Sequence, residues 1–136
     1  MTQKTMYAIT FSMMLTTFAF GQKSGADADS HGCRASAGYT YSIIKNTCIR
    51  LWEEKIRLNS SNPDGASFFT AVIFSKDKKK AEVFIPKSKS GVILNRTGKA
   101  GKYILKKEKL ELTVSNGYFL KRSGKLIYSA AGLVKP

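Results

Sequence analysis

The chain has one histidine, two cysteines, one tryptophan and three prolines. Each shortage removes a class of chemistry. His31 is the only imidazole and lies in a small, polar N-terminal stretch, so no Ser-His-Asp or Cys-His arrangement can be built around it. The two cysteines lack CxxC spacing and no histidines cluster, which leaves a metal or thiol-redox centre without ligands. Gly98 and Gly101 fall between expected strands and lack the spacing and following helix of a phosphate-cradling loop. Acids are also scarce, nine against 23 Lys and Arg. Glu53 and Glu54 are adjacent, so on a strand they face opposite sides, the wrong geometry for a carboxylate pair at one substrate bond. These absences point away from an enzyme and predict neither cofactor nor metal.

A long hydrophobic run is missing too. The apolar stretch from Met6 to Phe20 falls short of the roughly 20 residues of a membrane span, and Thr10, Ser12, Thr16 and Thr17 interrupt it. Lys4 precedes it, and Ala19 and Gly21 stand at −3 and −1 before Gln22. This is the pattern of a secretory signal peptide over 1–21, cleaved after Gly21. The first cysteine, Cys33, lies well past the apolar core, so the pattern is not that of a lipoprotein. The expected product is soluble and exported, periplasmic or secreted, with no transmembrane anchor, and monomeric.

What remains is basic. Loss of 1–21 removes Lys4 alone among charged residues, leaving 22 cations against nine acids, a net charge of +13. Such a surface attracts polyanions, of which an anionic envelope component is the expected partner, alongside a protein partner. A lysine-rich coat that merely keeps the protein in solution explains the same charge. Nucleic acid is a poorer candidate for an exported chain, although aromatics interleave with lysines around Tyr103, Tyr118, Phe119 and Tyr128 as single-strand binders require.

Residues 22–32 (QKSGADADSHG) read as a flexible leader. Asp27, Asp29 and His31 alternate there, but a mobile tail has little means of holding metal ligands. From 33 to 58 the sequence reads as a cap closed by a Cys33–Cys48 disulfide, expected in an oxidising compartment and worth about 3 kcal/mol for a fifteen-residue loop. Ser42 is placed to cap a short helical turn through Asn46, packed inward by Ile43 and Ile44. In the following strand Ile49 and Leu51 share one face, and Cys48, Arg50 and Trp52 the other. Trp52 is expected to fill the core under the disulfide, with Arg50 beside Glu53; the alternative is an Arg50–Trp52 cation–π pair.

A polar loop, Asn59 to Gly65, leads to the body, residues 66–130, a succession of short strands. Phe68–Ser75 is nearly all apolar and reads as a central strand covered on both faces. Ala81, Val83 and Ile85 alternate, as do Leu110, Leu112 and Val114. Asn116-Gly117 carries a type I′ hairpin signal, and lysines occupy most turns. The fold class is therefore mainly β: a small antiparallel meander closing into a barrel or sandwich over a single domain, 33–136, with the disulfide cap at its N-terminus.

Two resemblances accompany this reading. Cys33…Gly38-Tyr39-Thr40-Tyr41…Cys48-Ile49-Arg50-Leu51-Trp52-Glu53 resembles a cysteine-bounded motif of small exported bacterial proteins, Gly-Tyr-Ser/Thr-aromatic followed by Cys-Ile/Leu-Arg-x-aromatic-Glu, with Tyr41 where Trp is usual. It implies no particular activity. The stretch from Ala81 to Tyr128 resembles the periplasmic inhibitors of C-type lysozyme, small exported β-barrels whose Ser-Gly-x-x-Tyr-like loop enters the enzyme cleft. Lys99-Ala100-Gly101-Lys102-Tyr103 occupies that place, with Tyr103 matching, Lys102 as a cation for the catalytic carboxylates, and the pattern's Ser and Gly missing. Like charge opposes that pairing at long range, since C-type lysozyme is itself basic. The candidate binding residues are thus Lys99, Lys102 and Tyr103 on the loop and Arg50 and Trp52 on the cap. The function expected is non-catalytic binding of an anionic partner through lysine-rich loops, the alternatives being a lysozyme-inhibitor-like protein and a structural envelope protein without a ligand.

Overall fold

The computed structural model describes residues 27–62, 69–86, 88, 90–98 and 103–131. The expected signal peptide, residues 22–26 of the leader, and Lys99 and Lys102 lie outside these. Among the described residues ten strands form two units. β1 (Tyr39–Ser42) and β2 (Thr47–Arg50) make a hairpin. β3 (Arg57–Ser60), β4 (Phe69–Phe74), β5 (Lys80–Val83), β6 (Val92–Thr97), β7 (Tyr103–Lys107), β8 (Leu110–Val114), β9 (Gly117–Arg122) and β10 (Lys125–Ala131) run as an antiparallel meander. The meander closes on itself as an eight-stranded barrel when β10 pairs with β3.

Turn chemistry sets the up-and-down order. Arg122 pairs with Lys125 across Ser123 (φ 50) and Gly124 (φ 79), two positive-φ residues as a type I′ turn requires. Lys107 pairs with Leu110 across Glu108 (φ 50) and Lys109. The Asn116-Gly117 signal is not used in this way. Neither residue has positive φ, and Gly117 is already paired with Ala131 at the start of β9.

Alternation then sorts the side chains. Leu110, Leu112 and Val114 all point inward from β8, between half-buried neighbours. With Leu58, Val72, Ala81, Val83, Leu94, Leu105, Leu120, Tyr128 and Ala130 they form the main core. Eight strands leave an interior just wide enough for side chains to fill. Here Leu58, Val83, Leu94, Leu105, Leu112 and Leu120 occupy it with no exposure to solvent.

A second, smaller core lies outside the barrel wall. Ala71 and Ile73 of β4 and Phe84 pack against Ile49, Ile44 and Leu51 of the cap. β4 is therefore covered on both faces, by the barrel interior and by the hairpin. Glu82 projects from the outer face of β5 and is fully buried beneath the hairpin tip. Its carboxylate accepts hydrogen bonds from the Ser42 hydroxyl (2.7 Å) and the backbone N–H groups of Ile43 (2.9 Å) and Ile44 (3.1 Å). Three donors satisfy a group that would otherwise be costly to bury.

The cap differs from expectation in two places. The segment after Ser42 is the tip of the β1–β2 hairpin and not a helical turn. Ser42 Oγ does accept the Lys45 N–H (3.1 Å), but Asn46 turns to φ 54 and sends the chain back as β2. Short 3-10 turns occur instead at Ala35–Ala37 and Leu51–Glu53. The second of these ends β2 at Arg50, and Trp52 remains on the Arg50 side, 47% exposed, while Leu51 packs inward with Ile49. Ile43, at the hairpin tip, is likewise 49% exposed, and Ile44 packs inward without it. The disulfide joins Cys33 to Cys48 as the spacing predicts.

Candidate functional site

Charge is divided between the two units. Residues 27–56 hold four Lys or Arg and four Asp or Glu, a net charge of zero. Residues 57–136 hold seventeen cations and five acids, a net of +12. Of those five, Glu82 is buried under the cap and Glu111 pairs with Lys106 at 2.9 Å. The basic surface therefore belongs to the barrel.

At one end of the barrel this charge converges. Side chains two apart on a strand share a face. Lys107 follows the inward Leu105, and Arg122 follows the inward Leu120, so both cations hold interior-facing positions at the rim. Leu110, the cross-strand neighbour of both, is buried beneath them. The β7–β8 and β9–β10 turns are held side by side by a hydrogen bond from Ser123 N–H to the Lys109 carbonyl at 2.8 Å. Arg122 lies between two hollows. One, of about 370 Å³, is floored by Ile85, Val92 and Leu110 and edged by Lys107 and Lys109. The other, of about 310 Å³, reaches Lys125, Leu126 and Tyr128. Glu108 is the one acid on these two turns. Lys107, Lys109, Arg122 and Lys125 have no ion-pair partner among the described residues. The result is two adjoining hollows with apolar floors, rimmed by four cations without ion pairs among the described residues and by one acid, Glu108.

The cap carries a different arrangement. Arg50 and Tyr39 face each other across the hairpin, and the guanidinium lies 4.3 Å from the Tyr39 ring centre and 5.8 Å from that of Trp52. Its Nη1 reaches Glu53 at 3.2 Å, and Arg57 donates to the Trp52 carbonyl at 3.0 Å. Trp52 rests against Gly38, where a Cβ would stand 2.0 Å from its ring. Arg50 is thus paired with Glu53 and also lies against both rings. Its charge is already answered by Glu53, and the remaining cap acids are engaged as well. Glu54 pairs with Lys45 at 2.6 Å. Asp29 accepts the backbone N–H groups of His31 (2.8 Å) and Cys33 (2.9 Å), and His31 stacks on Tyr41. Asp27 accepts from the Ser36 hydroxyl and N–H, which hold its carboxyl below the ordinary 3.8. The leader from Asp27 onward is therefore tied to the cap.

The expected binding residues separate accordingly. Arg50 and Trp52 come together on the cap. Lys99 and Lys102 lie outside the described residues, and Tyr103 opens β7 opposite Val114, at the barrel end away from Arg122. Lys107, Lys109, Arg122 and Lys125 were not singled out in the sequence. The alternation that places Leu105 and Leu120 inward also predicts the rim positions of Lys107 and Arg122. That those two positions are neighbours follows from the pairing of β7 and β9 with the strand between them, β8, where Leu110 stands opposite both.

Compared with protein-family models, with curated proteins and with solved structures, the chain gave no match in any of the three.

Proposed function

We propose that this is an exported, non-catalytic binding protein that engages an anionic partner of the cell envelope through the basic mouth of its barrel. The observation that carries the reading is the convergence of Lys107, Lys109, Arg122 and Lys125 around an apolar floor, on a barrel of net +12 beside a neutral cap. Unpaired cations in a recess draw anions more strongly than the same charges scattered over a surface. The filled interior argues for a ligand held at the barrel end. Export is supported by the N-terminal apolar pattern and by the Cys33–Cys48 disulfide, a bond that persists in oxidising compartments. Retention on an anionic polysaccharide column, falling as salt rises, tests the reading. If the Arg122→Ala/Lys107→Ala protein is retained like the parent, the mouth is not the site.

A second reading, an inhibitor of C-type lysozyme, is favoured by the closed small barrel, the architecture that the resemblance implies. The loop between Thr97 and Tyr103 would then be the working element. Mixing the protein with a C-type lysozyme, with Lys102→Ala as the control, decides it; absence of inhibition at micromolar protein removes this reading. A structural role without a ligand is left if both experiments are negative.

A further inference from the structure

A groove of about 840 Å³ runs along the outer wall of the barrel beside the hairpin tip, far larger than either hollow at the mouth. Its volume is within the about 300–1,000 Å³ range of small-molecule sites. The floor is a cross-strand row on β4, β5 and β6. Ile73 pairs with Glu82, and Glu82 with Ile93. The hairpin tip covers Glu82 and consumes its carboxylate with three donors, which leaves the isoleucines to line the groove. Ile43 and Ile44 form the wall on the cap side. Ile43 is the most exposed large apolar residue described, and its exposed side faces this space.

The polar edge of the groove is cationic. Lys76 and Lys80 stand at one end and have no ion-pair partner among the described residues. The neighbouring acid, Asp77, makes no ion pair with them among the described residues and accepts instead from the Ser75 hydroxyl (2.7 Å) and the Lys79 N–H (3.0 Å). Lys45 also borders the groove, with its ammonium held by Glu54. An apolar trough with free ammonium groups at one end is complementary to a molecule with an apolar chain and an anionic head.

We propose that this groove binds a single-chain anionic amphiphile, an unbranched acyl chain ending in a carboxylate. The chain lies on Ile73 and Ile93 under Ile43, and the head group meets Lys76 and Lys80. The site is separate from the barrel mouth, so each can fail without the other.

The test is calorimetric titration of the full chain with octanoate, decanoate and dodecanoate below their micelle concentrations, and with dodecanol, alongside methyl NMR spectra. Affinity should rise with chain length, by up to about fourfold per methylene, the factor that ~0.8 kcal/mol per buried CH₂ gives. Methyl shifts should centre on Ile43, Ile73 and Ile93. Ile43→Ser, at an exposed position, should weaken dodecanoate at least threefold. Lys76→Glu/Lys80→Glu should weaken it tenfold or more while leaving dodecanol unchanged, and Lys55→Ala on the cap should have no effect. Indifference to chain length, equal binding of dodecanol and dodecanoate, or methyl shifts confined to other residues would overturn the proposal. So would binding to anionic phospholipid vesicles without binding of free dodecanoate, which would assign the groove to a membrane surface.

Discussion

Ser42 and Glu82, forty residues apart, share a 2.7 Å hydrogen bond that joins the cap to the barrel wall. The same carboxylate takes the N–H groups of Ile43 and Ile44, so one buried side chain fixes the whole hairpin tip. Gly91 makes room for it, since a Cβ there would sit 2.2 Å from Glu82 Oε1. Glu82→Ala strands two backbone donors and a hydroxyl and should cost at least about 3 kcal/mol, at roughly 1–3 kcal/mol for each buried group left unsatisfied. Ser42→Ala should cost about 1–3 kcal/mol. Urea denaturation measures both, and midpoints equal to the parent's would show that the cap is held by its apolar contacts alone.

Removal of the disulfide acts on the same unit from its other side. Cys33→Ala/Cys48→Ala opens a loop of separation 15 and should lower stability by about 3 kcal/mol. Hydrogen exchange should speed first in β1 and β2, with the barrel strands β7–β9 protected. Uniform loss of protection would mean that cap and barrel unfold as one.

The exposure of Trp52 gives a spectroscopic handle on the cap. Its emission should be that of a partly solvated indole, accessible to acrylamide. Gly38 has φ 77 and touches the ring, so Gly38→Ala should both strain the backbone and displace the indole. A loss of more than ~1 kcal/mol with a shift in Trp emission is expected. An unchanged emission maximum would contradict the contact.

One contact of the leader, Asp27 with Ser36, depends on pH. Asp27 is held below its ordinary 3.8 chiefly by the Ser36 hydroxyl, then by the Ser36 N–H. A depressed folded-state value means that the Asp27–Ser36 contact is fully present above 3.8 and is lost as pH falls through the lower folded value, while the backbone bonds Ala35 N–H to Asp27 O and Asp29 N–H to Cys33 O still hold the segment. The Ser36 amide resonance should titrate with a midpoint below 3.8, and Ser36→Ala should move the Asp27 midpoint upward. Asp77 should behave likewise through Ser75.

At the barrel mouth, Arg122→Ala and Lys107→Ala should each weaken binding of an anionic polysaccharide about fivefold at low salt, taking roughly 1 kcal/mol per cation near an anionic surface. Lys55→Ala, on the cap side, should have little effect. Equal losses at all three positions would indicate attraction by net charge with no defined site.

The sequence by itself determined the meander. Leu110, Leu112 and Val114 alternate because neighbouring side chains on a strand point to opposite faces, and Ser123-Gly124 turns the chain because two residues there accept positive φ. The pairing of Cys33 with Cys48 needed only their number and the fifteen-residue spacing. Tertiary structure decided the rest, because it depended on contacts between segments remote in sequence. Barrel or sandwich was settled by the seam of β10 on β3, where Tyr128 meets Ser60 and Ser129 meets Asn59. Glu82, an ordinary outward-facing residue by its alternation, became buried only when the hairpin docked over it. Trp52, apolar and close to a disulfide, stayed outside because the face it shares with Arg50 is opposite to the Ile49 and Leu51 face that docks on β4. Arg122 and Lys107 are unremarkable along the chain, and it is the pairing of β7 and β9 with β8 that brings them to one rim, beside Ile85 and Val92.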